Sequence, residues 1–159
     1  MKKSVGIGLA ACLLLAITVI VGGTARSAHG KESVVAVPDN RAIARQYFDA
    51  WNNGDWAAAG GLYGPTFANL EGSRRWFAMW HTAFPDITDT IDDISVEGDK
   101  LTVRFSGGGT HRGEFQGVAA TGKRVTVTGS VTWQIQDGLI VAESGDADIR
   151  GVLAQLAVH

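Results

Sequence analysis

The sequence predicts an α+β fold in which helices cover one face of a curved antiparallel sheet. Between residues 38 and 84, apolar side chains recur at helical spacing, whereas after Asp86 the period changes to two, as in strands with one buried face. Helices followed by long antiparallel strands pack as separate layers. The 159 residues are 45% hydrophobic and 19% charged, which suits one globular domain, residues 38–159, behind an N-terminal segment.

Residues 1–30 have the composition of an export segment. Lys2 and Lys3 precede nineteen uncharged, largely apolar residues, 5–23, and small residues follow at 24–28. This is the order of a cleavable signal peptide. The length also approaches the roughly 20 residues that cross a bilayer, so an uncleaved N-terminal membrane anchor is the alternative. Both place the domain outside the cytoplasmic membrane, secreted or anchored, with residues 31–37 as a tether.

Charge and cysteine content exclude several classes of protein. The sole cysteine, Cys12, lies in the apolar run, so the domain has no disulfide and no cysteine-ligated metal. Without residues 1–30, 11 basic and 16 acidic residues remain, a net charge of −5. That charge argues against nucleic acid or an anionic membrane surface as a partner. Contact with a membrane is therefore expected only through the N-terminal segment.

The first predicted helix begins with Asp39 or Asn40 as its cap and ends at the N-N-G sequence of residues 52–54. Its apolar residues fall on one face, which predicts burial against the sheet. They are Ile43, Ala44, Tyr47, Phe48 and Trp51.

Two further helices are predicted before the strands. Asp55 can cap a short helix over residues 56–63, and a third helix starts at Ser73 and stops at Pro85. The third helix has one aromatic face, formed by Trp76, Phe77, Trp80 and Phe84.

The strands are predicted from alternation. Residues 100–106 and 124–136 alternate apolar and polar side chains, and residues 88–96 do so with a change of phase near Asp92 and Asp93 that indicates a bulge. Hairpin turns fit at 97–100 and 136–138. In the longest strand, one face is predicted to consist of Val125, Val127, Val131, Trp133 and Ile135. A last helix is predicted over residues 149–157.

The stretch 108–123 carries His111, Arg112, Lys123 and five glycines between two strand patterns. Glycines in such a position mark bulges, tight bends or close backbone approach. We expect this stretch to form the rim of a pocket.

Three sequence motifs together resemble the SnoaL-like polyketide cyclase (ester cyclase) family over residues 40–157. They are G-T-H-R-G-E-F-Q-G-V-A-A-T-G-K at 109–123, A-F-P-D at 83–86 and D-I-R-G-V-L-A-Q-L at 148–156. The resemblance implies the cone-shaped fold of ketosteroid isomerases and nuclear transport factor. In that fold a curved sheet carries three N-terminal helices on its concave side, one end opens to a pocket, and homodimers form through the outer sheet face.

The resemblance also implies catalytic residues. Asp148 matches the acidic residue that performs acid/base chemistry in the family, and His111 matches a motif histidine that can share its proton. Asp148 can instead be the N-cap of the last helix, in which case Asp146 is the competing acid. His111 can equally be a hydrogen-bonded strand histidine. Two positions depart from the family, since residues 67–69 lack a histidine and Ser144 replaces an aromatic residue.

An aromatic pocket for a flat apolar ligand is the expected binding site. Its candidate substrate-binding residues, each of which can equally be core, are Trp51, Trp76, Trp80, Phe115 and Trp133. A carboxylate in such a pocket would have its pKa raised by desolvation, as a base working near neutral pH requires.

No phosphate-binding loop, H-E-x-x-H, G-x-S-x-G or metal-ligand spacing occurs in the sequence, so no cofactor or metal is expected. The predicted function is an exported domain that binds a hydrophobic, carbonyl-bearing small molecule. It would catalyse an intramolecular aldol-type cyclisation or isomerisation by acid/base chemistry. The alternative is a non-catalytic ligand-binding or interaction domain on the same fold.

Overall fold

The computed structural model describes residues 39–157, so the predicted export segment and tether lie outside the described residues. Four strands and four helices follow one another in the order predicted. The helices are α1 (Asn40–Asn52), α2 (Trp56–Gly60), α3 (Leu70–Ala83) and α4 (Ile149–Ala157), and the strands are β1 (Thr88–Glu97), β2 (Lys100–Thr110), β3 (Arg124–Gln136) and β4 (Leu139–Ala147). Within residues 39–157, no helix is both long enough and apolar enough to cross a bilayer.

The sheet is an antiparallel meander with strand order β1-β2-β3-β4. Its β1–β2 register shifts between Ile91 and Asp93, which confirms the predicted bulge. A second shift, between Gln134 and Ile135 of β3, was not predicted. Bulges bend a strand and increase its local twist, which gives this sheet its curvature.

The hairpin turn between β3 and β4 is confirmed at Asp137 and Gly138. Their φ angles are 50° and 77°, the left-handed pair of a type I′ turn. Asp and Gly tolerate this backbone conformation, and the turn's twist matches that of the strands it joins.

Helix α1 begins as predicted, with the Asp39 carboxylate accepting a hydrogen bond from the Arg41 N–H at 3.1 Å. Helix α2 is shorter than the predicted 56–63, because the chain beyond it pairs with the edge of β4. There the Ile140 N–H donates to Leu62 O at 2.9 Å, and the Gly64 N–H donates to Ile140 O at 2.8 Å. Helix α3 starts at Leu70, three residues earlier than predicted.

The inner face of β3 supplies much of the core, as its alternation predicted. Val125, Val127, Trp133 and Ile135 are buried, and Val131 is half-buried because it lines a cavity described below. The two aromatic clusters of the core lie between this face and helices α1 and α3.

The glycine-rich stretch 108–123 does not form the rim of that cavity, so this prediction was wrong. The stretch folds over the end of α3, where the N–H groups of Arg112 and Gly113 both donate to Ala83 O, at 2.8 and 3.0 Å. A side chain at Gly113 would collide with Thr82 O. Glycine therefore marks close approach to another backbone here, a role that gives the same sequence signal as a pocket rim.

Candidate functional site

A cavity of about 290 Å³ lies between α1, α3 and the inner face of the sheet. Three of the predicted aromatic residues line it: Trp51 and Trp80, both buried, and Trp76, which is 40% exposed. The six aromatic side chains of the lining are Tyr47, Phe48, Trp51, Trp76, Trp80 and Phe105.

The other two predicted aromatic residues do not line the cavity. Phe115 is fully buried, with its ring centroid 4.8 Å from that of Trp80 and 5.1 Å from that of Phe84. Trp133 is also fully buried and lies in the second core cluster. The structure therefore assigns both side chains to packing.

Asp89 of β1 is the one buried carboxyl group of the described residues, and it faces the cavity. The residue is 7% exposed, and its Oδ1 is fully enclosed without a hydrogen-bond partner among residues 39–157. Burial raises the pKa of Asp89 to about 6 from its ordinary value of 3.8, because the charged form loses hydration. The Asp89 carboxyl group therefore gains and loses its proton close to neutral pH.

The backbone of Asp89 is fixed by one side chain from α1. The Asn52 carboxamide accepts a hydrogen bond from the Asp89 N–H at 2.7 Å and donates one to the Asp89 carbonyl at 2.9 Å. Asn52 therefore holds both backbone groups of Asp89 on the outer edge of β1. This contact fixes the position from which the Asp89 side chain extends toward the cavity.

Space for the Asp89 carboxyl group comes from the neighbouring strand. Asp89 pairs with Gly107 of β2, and a Cβ atom at Gly107 would collide with Asp89 Oδ1. A glycine at this cross-strand position is what allows an acid to lie inside the sheet.

Glu143 of β4 also lines the cavity, but its carboxylate is engaged by protein donors. Its Oε2 accepts hydrogen bonds from the Tyr63 hydroxyl at 2.6 Å and from Trp133 Nε1 at 2.8 Å, and its Oε1 accepts from the Ser73 hydroxyl at 2.9 Å. These donors come from three different segments of the chain. Glu143 therefore links these three segments beside the cavity through hydrogen bonds.

Tyr47 of α1 is the phenol of the cavity lining. Burial, and then the nearby charge of Glu143, raise the pKa of Tyr47 well above its ordinary value. Its hydroxyl therefore stays protonated, and the Tyr63 hydroxyl is its hydrogen-bonding neighbour. To donate to a ligand oxygen, the Tyr47 hydroxyl would have to turn from that neighbour.

Asp148 lies outside the cavity and caps α4. The residue is exposed, its Oδ1 accepts a hydrogen bond from the Gly151 N–H at 2.9 Å, and its own N–H donates to Thr128 O at 2.9 Å. It lines a shallow outer groove instead. That groove shares Phe105, Ser130, Asp146 and Ala147 with the cavity, so Asp146 belongs to both.

His111 is fully buried and does not line the cavity. Its Nδ1 accepts a hydrogen bond from the Thr121 N–H at 3.2 Å, and its ring lies 5.2 Å from that of Phe84. Burial lowers the pKa of His111, since the imidazolium form loses hydration. The structure therefore brings neither His111 nor Asp148 into the cavity, and the catalytic roles implied for them stay predictions.

The sequence held a signal for Asp89 that the pattern analysis missed. From Ile87, just before β1, the inward phase continues through Asp89 and Ile91 of the strand, so an acidic residue occupies an apolar position. A charged residue on the buried phase of a strand is uncommon unless it is paired or functional.

Fold and site together define a small α+β cone with an aromatic cavity that contains a buried acid. The sequence model of the SnoaL-like polyketide cyclase family matches residues 41–156. The chain belongs to this family. A search of curated proteins found no match.

Three solved structures of similar fold come from Streptomyces species. AclR of Streptomyces galilaeus, described as a candidate hydroxylase, is 25% identical with a TM-score of 0.70 over 74% of this chain and 94% of its own. IdmH of Streptomyces antibioticus, described as a candidate polyketide cyclase, is 28% identical with a TM-score of 0.68 over 76% and 99%. TsrD of Streptomyces laurentii is 27% identical with a TM-score of 0.68 over 74% and 93%.

Proposed function

We propose that the cavity binds a hydrophobic, carbonyl-bearing small molecule and performs acid/base chemistry on it, with Asp89 as the base. The observation that carries this proposal is the carboxyl group of Asp89, which is buried beside an aromatic cavity and has a pKa of about 6, with its Oδ1 lacking a hydrogen-bond partner among residues 39–157. A general base works best when its pKa lies near the operating pH. Buried acids with shifted pKa values concentrate at functional sites.

The chemistry begins with proton transfer from carbon. The Asp89 carboxylate takes a proton from the carbon next to a carbonyl group, and the electrons of that C–H bond move to the carbonyl oxygen. The Tyr47 hydroxyl donates a hydrogen bond to the resulting enolate oxygen. In an aldol closure, the enolate carbon attacks a second carbonyl of the same molecule and the new alkoxide regains the proton. In an isomerisation, Asp89 returns the proton to a different carbon.

The competing assignment keeps Asp148 as the base and His111 as its assistant, as the family resemblance implies. Asp148 would have to act from the outer groove, which adjoins the cavity at Asp146. Its carboxylate would also have to break the hydrogen bond that it accepts from the Gly151 N–H.

A non-catalytic binding domain is the second candidate function. The observation that favours it is that both residues at the family's catalytic positions have structural roles here, Asp148 as a helix cap and His111 as a buried packing residue. Under this reading the cavity retains its ligand-binding role and Asp89 recognises the ligand.

The location and assembly of the chain complete the proposal. An apolar run behind Lys2 and Lys3 supports export, with the domain secreted or held at the cytoplasmic membrane by its N-terminal segment. The exposed threonines of the outer face of β3, Thr126 and Thr128, support a homodimer of the kind the family forms.

Hydrogen–deuterium exchange at carbon tests the assignment of the base. We expect residues 31–159 to accelerate exchange of the α-hydrogens of α-tetralone, a bicyclic aromatic ketone, in deuterated buffer followed by NMR. Asp89→Asn should lose about 100-fold of this acceleration, a typical contribution of a general base. Asp148→Asn should retain it, and because Asn caps helices as well as Asp does, that variant should also keep its fold.

Loss of exchange in Asp148→Asn, with retention in Asp89→Asn, would transfer the role to Asp148. Binding of α-tetralone without accelerated exchange would establish the non-catalytic function. If α-tetralone does not bind, the carbonyl-ligand proposal is wrong.

A further inference from the structure

The cavity is acidic and lacks any basic side chain. Asp89, Glu143 and Asp146 line it, whereas none of its lining residues within 39–157 is Lys, Arg or His. The three carboxylates also form no ion pair with another described residue. The donors to Glu143 are a phenol, an indole and a hydroxyl, all of them neutral. No basic side chain of the cavity lining therefore balances this charge, and the arginines beside Asp146, Arg104 and Arg150, line the outer groove instead.

The rest of the lining favours the same kind of ligand. Six aromatic side chains face the cavity, and three of them are tryptophans. The face of an aromatic ring, and of indole above all, attracts a cation placed over it. Carboxylates combined with aromatic faces attract cations and repel anions, because both present negative potential to the ligand.

Asp89 adds an independent indication. Its carboxyl group is 7% exposed, lines the cavity and has an enclosed oxygen without a hydrogen-bond partner among the described residues. A buried carboxylate is costly unless it is paired. A positively charged ligand would supply the missing counter-charge, and because the interior has a low effective dielectric constant, it need not contact Asp89 directly to do so.

We propose that the carbonyl-bearing ligand of this cavity is a hydrophobic organic cation, a molecule of about two fused rings that also carries a protonated amino group. This inference rests on the proposed function, since it names the class of ligand that the same cavity takes. A volume of about 290 Å³ corresponds to roughly ten water molecules at about 30 Å³ each, which suits a bicyclic ring system. Anionic ligands such as carboxylates and phosphate esters are disfavoured by the same charges.

Three matched probes test the charge preference by calorimetric titration of residues 31–159. Naphthylmethylammonium, naphthylmethanol and naphthoate share one ring system, substituted at the same carbon, and differ in charge. We expect the ammonium compound to bind about tenfold or more tightly than the alcohol, and naphthoate to bind more weakly than both. Asp89→Asn and Asp146→Asn should each reduce the ratio of the affinity for the ammonium compound to the affinity for the alcohol.

Asp137→Asn is the control for net charge. It removes the same charge from the β3–β4 turn, outside the cavity, at a residue with φ of 50° that Asn tolerates. It should leave the ammonium preference unchanged.

Equal affinity for the ammonium compound and the alcohol, or tightest binding of naphthoate, would overturn the inference and leave the cavity as a binding site. An equal loss of ammonium preference in Asp137→Asn and in the cavity variants would overturn it as well. If none of the three probes binds, both the inference and the proposed function fail.

Discussion

Ionisation of a buried carboxyl group that lacks a hydrogen-bond donor lowers the stability of the folded chain. Asp89 is such a group, since its Oδ1 has no hydrogen-bond partner among residues 39–157. The folded pKa of Asp89, about 6, lies above its ordinary value of 3.8, so the folded state binds this proton more tightly than the unfolded state does. Stability therefore falls as pH rises from about 4 to about 6 and levels off above that range. The difference of about two pKa units corresponds to about 3 kcal/mol as an upper limit.

This argument predicts that Asp89→Asn stabilises the protein at pH 7 and not at pH 4. We expect a gain of about 1–3 kcal/mol in the free energy of unfolding at pH 7, because the amide carries no charge to bury. Denaturant unfolding of both proteins at the two pH values measures it. The other titratable groups of the cavity, Tyr47, Glu143 and Asp146, are common to both proteins and cancel in the difference. A variant destabilised equally at pH 4 and pH 7 would contradict the argument.

Among the elements, β1 depends on a contact from α1 for the position of the acid it carries. The Asn52 carboxamide bonds both backbone groups of Asp89, at 2.7 and 2.9 Å. Each such hydrogen bond contributes about 0.5–1.5 kcal/mol. Asn52 thus takes the place of a neighbouring strand at one position of the sheet edge.

We predict that Asn52→Ala lowers the free energy of unfolding by about 1–3 kcal/mol and shifts the position of the Asp89 carboxyl group. The acceleration of α-tetralone exchange should fall with it, although Asn52 is not itself a lining residue of the cavity. Asn53→Ala is the matched control, since among the described residues the Asn53 side chain donates to Asp49 O of α1 and not to β1. Unchanged exchange in Asn52→Ala would limit Asn52 to a structural role.

The elements were predictable from sequence where local chemistry decides them. Turn residues such as Asp137 and Gly138 and the alternation of β3 require no knowledge of distant contacts. The candidate site was not predictable in the same way, because burial of Asp89 depends on the space left by Gly107, which the β1–β2 register brings opposite. The family resemblance identified Asp148 and His111 as candidate catalytic residues from their positions in sequence motifs. A motif does not reveal that Asp148 caps a helix and that His111 is buried.

At the scale of the whole molecule, the two faces of the sheet have different tasks. The inner face of β3 is core, with Val125 only 2% exposed, and the outer face is exposed at Thr128. The inner face determines folding, and the outer face is where we propose that a second copy of the chain binds.

We predict that Val125→Asp lowers the free energy of unfolding by several kcal/mol, because its carboxylate would be buried without a partner. Thr128→Asp should change stability by less than about 0.5 kcal/mol and should convert a dimer to a monomer. Thermal melts and sizing chromatography of both variants provide the measurements. Similar, small effects on melting from the two substitutions would contradict the assignment of the faces.

The outer edges of β1 and β4 are each partly occupied by the chain itself. On β1, Asn52 takes both backbone groups of Asp89, and on β4, Leu62 and Gly64 take both backbone groups of Ile140. Exposed edges are where sheets of different molecules join and where fibrils begin to grow. At these positions another chain would first have to displace bonds already formed. The protein therefore carries an obstacle to edge-to-edge aggregation at one position on each outer edge of its sheet.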